Sequence, residues 1–291
     1  MNEKKIYFKS SFSNAEFELI RSNNQMFLKK KIFSPSLRDF QSILKNNNMI
    51  EQLKIKNLKI PKIEIKNYKE LLKKKSYKLI YLEGHSGDLI FLNSGLKEVL
   101  LIKNFLHEYF KFLNKRIVWV EIDKNIFFKK LDAIEKKIKI MELKSFFKRK
   151  KIFMRKKIKE ISMYPTGMCH GDLTLSNIIL EKNKICLIDF LKTYNDSILQ
   201  DLSKVYQEFL LGWSSRELSQ QEKLRSQIIS KKIIDKNFFK IFSKKILKHL
   251  HFEVLMTLFR IFPYVNKNDQ LTIRWLKNSV NNVLKIKRNI L

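Results

Sequence analysis

The chain has 291 residues, 44% of them hydrophobic, enough to close a core in one large domain or two small ones and too much for a disordered tail. Sixty Lys and Arg against 28 Asp and Glu leave a formal charge of +32, a balance that raises nucleic acid or an anionic membrane as partners. Yet Lys far outnumbers Arg, Gly totals 6 and Pro 4, and the basic residues run through the whole chain, as AT-rich coding bias would lay them down without marking a partner. The two cysteines, Cys169 and Cys186, exclude a framework of disulfides and fit a reducing compartment. Met1 to Phe12 lacks the apolar stretch of a secretory signal, and no uncharged run approaches the roughly 20 residues of a membrane span. The expectation is a cytoplasmic protein.

The first third reads as short strands. Lys5 to Phe8, Glu16 to Ile20 and Gln25 to Ile32 alternate apolar and polar residues, and Ser22-Asn23-Asn24 marks a tight turn between the last two. Ser34-Pro35-Ser36 opens a helical stretch to about Lys54, with Ser34 or Ser36 as its cap. Pro61 directs an extended entry into a strand over Lys62 to Ile65, and Tyr77 to Leu82 is an apolar strand stopped by Glu83-Gly84. Beyond Gly84 the period changes: Leu96 to Leu113 and Ile126 to Ile161 carry apolar residues at i, i+3, i+4 spacing. Pro165 and Gly167 end that region. Ile178 to Leu180 and Ile185 to Ile188 form a hairpin about the turn Glu181 to Lys184, and from Ile198 the pattern is helical, with breaks near Gly212 and Pro263. The organisation expected is a β-rich segment over 1–83 and a larger helical segment over 84–291.

The chemistry concentrates in Cys169-His170-Gly171-Asp172-Leu173-Thr174-Leu175-Ser176-Asn177, followed by Ile185-Cys186-Leu187-Ile188-Asp189-Phe190. Asp172, Asn177 and Asp189 stand in or beside the most apolar strands of the chain, where an uncompensated carboxylate would cost several kcal/mol. On a strand-turn-strand path Asn177 and Asp189 begin and end neighbouring strands, so their side chains can converge on one cation, with the hard oxygen donors that Mg²⁺ takes together with phosphate. Asp172 then stands at the rim, free to accept a proton from an alcohol.

This pattern resembles the catalytic core of the protein-kinase-like phosphotransferases, in particular the aminoglycoside phosphotransferase and choline kinase family, which carries His-Gly-Asp-Leu, an Asn five residues after the Asp, and a strand ending in Ile-Asp-Phe. The resemblance implies an α+β, protein-kinase-like bilobal fold with a small β-rich N-terminal lobe and a larger helical C-terminal lobe. It further implies Asp172 as the residue orienting the acceptor hydroxyl, His170 as organiser of the catalytic loop, Asn177 and Asp189 as metal ligands, and Asp201 as a buried brace. Nucleotide contacts are implied for the β-rich lobe. Lys29, with Lys31 beside it, is the phosphate-binding lysine expected on the third strand, and Glu51 or Gln41 stands nearest to its helix partner. Ser11 and Ser13 occupy the phosphate-covering turn, where no glycine occurs before Gly84. Ile80 and Leu82 fall in the hinge.

Leu191 follows Ile-Asp-Phe where a protein kinase has Gly, and no Ala-Pro-Glu anchor lies downstream, which disfavours a regulated protein kinase. The function implied is transfer of the ATP γ-phosphate, with Mg²⁺, to a hydroxyl of a small molecule such as an amino alcohol, an aminoglycoside-like compound or a sugar. Trp213, Glu217, His251, Glu253, Arg260, Tyr264 and Asp269 are conceivable lining of its acceptor pocket. The alternatives are a catalytically silent kinase-like scaffold and a basic nucleic-acid-binding protein. The dense run Lys148 to Lys151 and Arg155 to Lys157 reads first as a solvated helix face; no specific nucleic acid is expected, and peripheral contact with an anionic membrane is compatible with the charge.

Overall fold

The computed structural model describes residues 7–9, 15–22 and 25–285, and they divide into two compact units. The first comprises residues 1–87, 170–172 and 176–193; the second comprises 88–169, 173–175 and 194–291.

In the first unit, β1 (Tyr7–Lys9), β2 (Ala15–Ser22) and β3 (Gln25–Ile32) run antiparallel, and β3 also pairs with a later strand. After them Ser36 caps α1 (Leu37–Gln52) in a closed capping box with Asp39, the arrangement that satisfies two orphan backbone donors at once. β4 (Leu58–Lys59) follows Asn57, whose φ of 62° makes the turn, and then α2 (Tyr68–Lys74), an element the sequence periodicity does not announce because it is only two turns long. β5 (Ser76–Ile80) completes the first sheet in the order β1-β2-β3-β5. The strand expected over Lys62 to Ile65 does not form. Ile63 and Ile65 are buried there with Ile43, Leu71, Tyr77 and Leu79, but the backbone of Ile63 bonds at both N–H and C=O to the side-chain amide of Asn47 on α1. A side-chain amide thus supplies what a neighbouring strand would.

β6 (His85–Ser86) belongs to a second sheet of the same unit, ordered β4-β10-β9-β6. Gly84 is needed beside it because a Cβ there would come within 2.4 Å of the Leu180 carbonyl oxygen.

The second unit contains α3 (Ile90–Asn93), α4 (Leu96–Asn114), β7 (Val118–Glu121), α5 (Lys124–Lys137), α6 (Met141–Glu160) and β8 (Met163–Thr166). The single periodic stretch from Ile126 to Ile161 is therefore two helices, because Ile138 and Ile140 turn extended between them. Tyr164 and Pro165 lie in an antiparallel pair with β7, so Pro165 sits within an edge strand, where its missing N–H costs nothing. The hairpin β9 (Ile178–Glu181) and β10 (Lys184–Leu187) returns to the first unit's second sheet, turning at Lys182 with φ 53°. Four helices complete the second unit: α7 (Ile198–Phe209), α8 (Gln220–Ile233), α9 (Lys244–Phe259) and α10 (Gln270–Lys285). Its core is aromatic, with Phe147 edge-on to Phe259 at 4.9 Å and Phe110 edge-on to Phe238 and Phe242, geometries that align ring edges with ring faces. Among the described residues no helix is long and apolar enough to cross a membrane.

Candidate active site

Asp172, His170, Asn177 and Asp189 all lie in the first unit, and its backbone brings them together. Leu191 N–H donates to the His170 carbonyl at 2.9 Å, and Ile188 N–H donates to the Asn177 carbonyl at 3.1 Å. The segment holding Asp172 and the segment holding Asp189 are thus laced side by side. Gly171 makes the close approach feasible: its φ is +90°, and a Cβ would stand 2.1 Å from the Leu191 carbonyl oxygen, so both conformation and space demand glycine.

His170 is fully buried and stacks on Phe190, ring centroids 4.2 Å apart. Its Nδ1 accepts from the Asp172 N–H at 3.2 Å while Nε2 lies 2.8 Å from the Ile188 carbonyl; since a carbonyl only accepts, the pair of bonds assigns the ring proton to Nε2. Both ring nitrogens of His170 therefore meet backbone groups. The Asn177 amide NH₂ donates to the Asp172 carbonyl at 2.8 Å and to its carboxylate at 3.2 Å. Asp189 takes φ 57°, a left-handed conformation that a short acidic side chain tolerates and that costs of order 1 kcal/mol.

The lysine that meets this cluster is Lys30, at 2.8 Å from Asp189 Oδ1. Alternation does place Lys29 and Lys31 on one face of β3, but that face carries Glu18, a buried carboxylate 3.7 Å from each ammonium. The side facing Asp189 is one residue out of phase. Lys30 stands opposite Tyr77 in the β3–β5 register, and the two side chains interact electrostatically. Burial works against the Lys30 charge, yet Asp189 and Tyr77 outweigh it and hold the ammonium above its ordinary pKa. Burial pushes the Tyr77 phenol up to about 12. Asp189 Oδ2 makes no hydrogen bond among the described residues. The helix α1 meets the segment after Asp189 through backbone contacts: Arg38 and Lys45 donate to the carbonyls of Lys192 and Leu191, and Ser42 accepts from the Lys192 N–H. Gln41 and Glu51 are exposed, and neither engages Lys30.

Ser11 and Ser13 lie outside the described residues. Ile80 ends β5, paired with Phe27, and Leu82 is buried two residues on; between them the Tyr81 N–H is bonded to the Met26 carbonyl.

In the second unit, Asp201 is fully buried and accepts from the Tyr109 hydroxyl at 2.7 Å. Glu208 is buried on the same helix and was not anticipated, since nothing in its local pattern distinguishes it from a surface carboxylate. It accepts from the Leu175 backbone N–H at 3.3 Å and from the Ser214 hydroxyl at 2.6 Å, and Leu175 stands between Asp172 and Asn177 in the chain. Burial pushes its carboxyl up to about 7. Of the conceivable pocket residues, Glu253 is a core hub bonded to Tyr164, Tyr194 and Gln200, and Trp213 packs edge-on to Trp275.

A hard divalent cation suits the donor set. Among the described residues no three His, Cys, Asp or Glu converge on one point, but Mg²⁺ in nucleotide sites takes one or two carboxylates and fills its shell with phosphate and water. Asp189 and Asn177 offer that partial set.

No protein-family model and no curated protein matches the chain. Solved structures do. A spectinomycin phosphotransferase in complex with ADP and spectinomycin aligns over 96% of this chain and 88% of its own at TM-score 0.51 and 12% identity. A Plasmodium vivax ethanolamine kinase aligns over 97% and 82% at TM-score 0.54 and 13% identity, and a glucosamine kinase over 96% and 74% at TM-score 0.58 and 11% identity. With its small sheets and mainly helical second unit, the chain therefore has the kinase-like α+β fold that these small-molecule phosphotransferases share.

Proposed function

We propose that this protein is a small-molecule kinase that moves the γ-phosphate of ATP, with Mg²⁺, to a hydroxyl group. The observation that carries the reading is the junction of the loop His170 to Asn177 with Asp189 and Lys30, laced by the bonds Leu191 to His170, Asn177 to Asp172 and Lys30 to Asp189. Those groups supply a fixed cation, an oriented carboxylate and a pair of hard oxygen donors, which are the parts phosphoryl transfer requires. The fold likeness to proteins crystallised with ADP supports the nucleotide.

In this reading Asp172 aligns the acceptor hydroxyl and receives its proton, while the Asn177 amide holds the Asp172 carboxylate in place. Asn177, through its carbonyl oxygen, and Asp189, through Oδ2, would hold Mg²⁺, which when bound neutralises phosphate charge. Lys30, and not Lys29 or Lys31, would hold the nucleotide phosphates. Positioning and charge neutralisation then supply the rate, without a covalent step on the protein.

The test is an ATP-consumption screen of purified protein against amino alcohols, aminoglycosides, sugars and nucleosides, with Asp189→Ala as blank. Turnover on at least one hydroxyl class is expected, falling about 10²-fold or more in Asp172→Asn, the size typical of losing a positioned acid/base group. Turnover unaltered by Asp172→Asn would refute the assignment. Nucleotide-dependent thermal stabilisation with no transfer to any acceptor would mean a silent scaffold.

A further inference from the structure

The helix α6 buries one apolar face and leaves three bulky apolar side chains exposed. Leu143, Phe147, Met154 and Ile158 pack inward and are buried. On the opposite side Met141 and Ile152 are 72% and 74% exposed, with Phe153 at 40% beside them. Eleven residues of an α-helix return to within about 20° of the starting direction and advance about 16 Å, so Met141 and Ile152 lie along one outward line.

Cations flank that line. Lys148, Arg149, Lys156 and Lys159 are exposed on the same outward face. Nearby carboxylates are already engaged: Asp132 and Glu135 of α5 pair with Lys151 at 2.5 Å, Glu142 with Lys277, and Glu160 with Lys157 at 2.7 Å. Arg149 and Lys156, which bracket Ile152 at one helical turn on either side, pair with no carboxylate among the described residues. A solvated helix face would carry the charge without the apolar line; a helix that packs on protein would carry the apolar line without the unpaired cations.

We propose that the outward face of α6 docks on an anionic lipid membrane. Bulky apolar groups flanked by lysine and arginine are what a helix lying in a headgroup layer presents, the side chains of Met141, Ile152 and Phe153 entering the acyl boundary while the cations meet lipid phosphates. The apolar line argues against RNA, whose backbone offers it nothing. A second copy of the chain fits no better, because a two-fold pairing would set Arg149 and Lys156 against their own counterparts. The proposal does not depend on the catalytic reading, and no activity enters its test.

The measurement is co-sedimentation of the full chain with vesicles of phosphatidylcholine alone and of phosphatidylcholine with 30% phosphatidylglycerol, at about 0.1 M salt. Binding to the anionic vesicles alone is expected. It should weaken at least tenfold in Arg149→Gln/Lys156→Gln, on the scale of two cations near a charged surface, and weaken again in Ile152→Ser. Lys231→Gln/Lys232→Gln on α8 removes equal charge from another exposed site and should leave binding within about twofold. Thermal melts of each variant establish that it folds, and Lys148→Gln/Lys156→Gln replaces any that does not. Equal losses from the α6 and α8 pairs would reduce the effect to net charge and overturn the proposal. So would absence of vesicle binding, a dimer in ultracentrifugation dissolved by Ile152→Ser, or poly(U) binding that is the only property the α6 pair changes.

Discussion

At the scale of single residues, the β3 lysines separate two accounts of the site. Three consecutive lysines give sequence reading no means to choose a phase, because both phases alternate equally well and differ only in which face the sheet turns toward the hairpin β9–β10. Buried Glu18 takes Lys29 and Lys31 on one face; Asp189 takes Lys30 on the other. Lys30→Met is therefore expected to weaken ATP binding about 10- to 100-fold, the range for losing a charge-assisted bond, while Lys29→Met changes it less than about threefold. Calorimetric titration of both variants distinguishes them, and a reversed order would transfer the role to Lys29. Gly171 gives a second residue-scale expectation. An alanine there would meet both a left-handed φ and the Leu191 carbonyl oxygen, so Gly171→Ala should cost about 3 kcal/mol or prevent folding, read from urea unfolding. Loss below about 1 kcal/mol would show that the two segments are not held as closely as described.

At the scale of elements, α7 holds the segment Leu173 to Leu175 within the second unit. Its Glu208 receives the Leu175 N–H and the Ser214 hydroxyl, and the charged groups nearby are Lys204, which favours ionisation, and Asp88, which opposes it. The folded carboxyl, at about 7, holds its proton more tightly than the ordinary carboxyl at 4.5. Its contribution to stability is thus fully present below pH 4.5 and is lost as pH rises through 7, by about 3 kcal/mol at 1.36 kcal/mol per unit. Melting temperature across pH 5 to 8 should fall less steeply in Glu208→Gln, which keeps the shape and cannot ionise; identical slopes would remove Glu208 from that dependence. The elements around the site were legible for physical reasons. The hairpin β9–β10 announces itself by two apolar runs about a polar turn, and the start of α1 by Ser34-Pro35-Ser36, where the structure gives the cap to Ser36. Glu208 and the tie from Asn47 to Ile63 were not, because both depend on which distant backbone group folding brings to a polar side chain, and no local period encodes that.

At the scale of the whole molecule, a charge of +32 attracts any polyanion, and a nucleotide will bind weakly wherever lysines gather. Catalytic residues must therefore be distinguished from general attraction. The motif from His170 to Asn177 with Asp189 was readable because its spacing is short and its polar residues sit against apolar strands; an acceptor was not, because no local pattern in the sequence specifies one. Mg²⁺ offers the discrimination. Complexed with ATP it lowers the nucleotide's negative charge, which weakens attraction to a merely basic surface and strengthens binding at a site with Asp189 and Asn177 as oxygen donors. The decisive measurement is calorimetric titration of ATP into the wild-type protein and Asp189→Ala, each with Mg²⁺ and with EDTA, at fixed ionic strength. Wild-type affinity should be at least tenfold higher with Mg²⁺, and Asp189→Ala should erase that gain while retaining its melting transition; an affinity that Mg²⁺ leaves unchanged or lowers, or a gain that survives Asp189→Ala, would contradict the account.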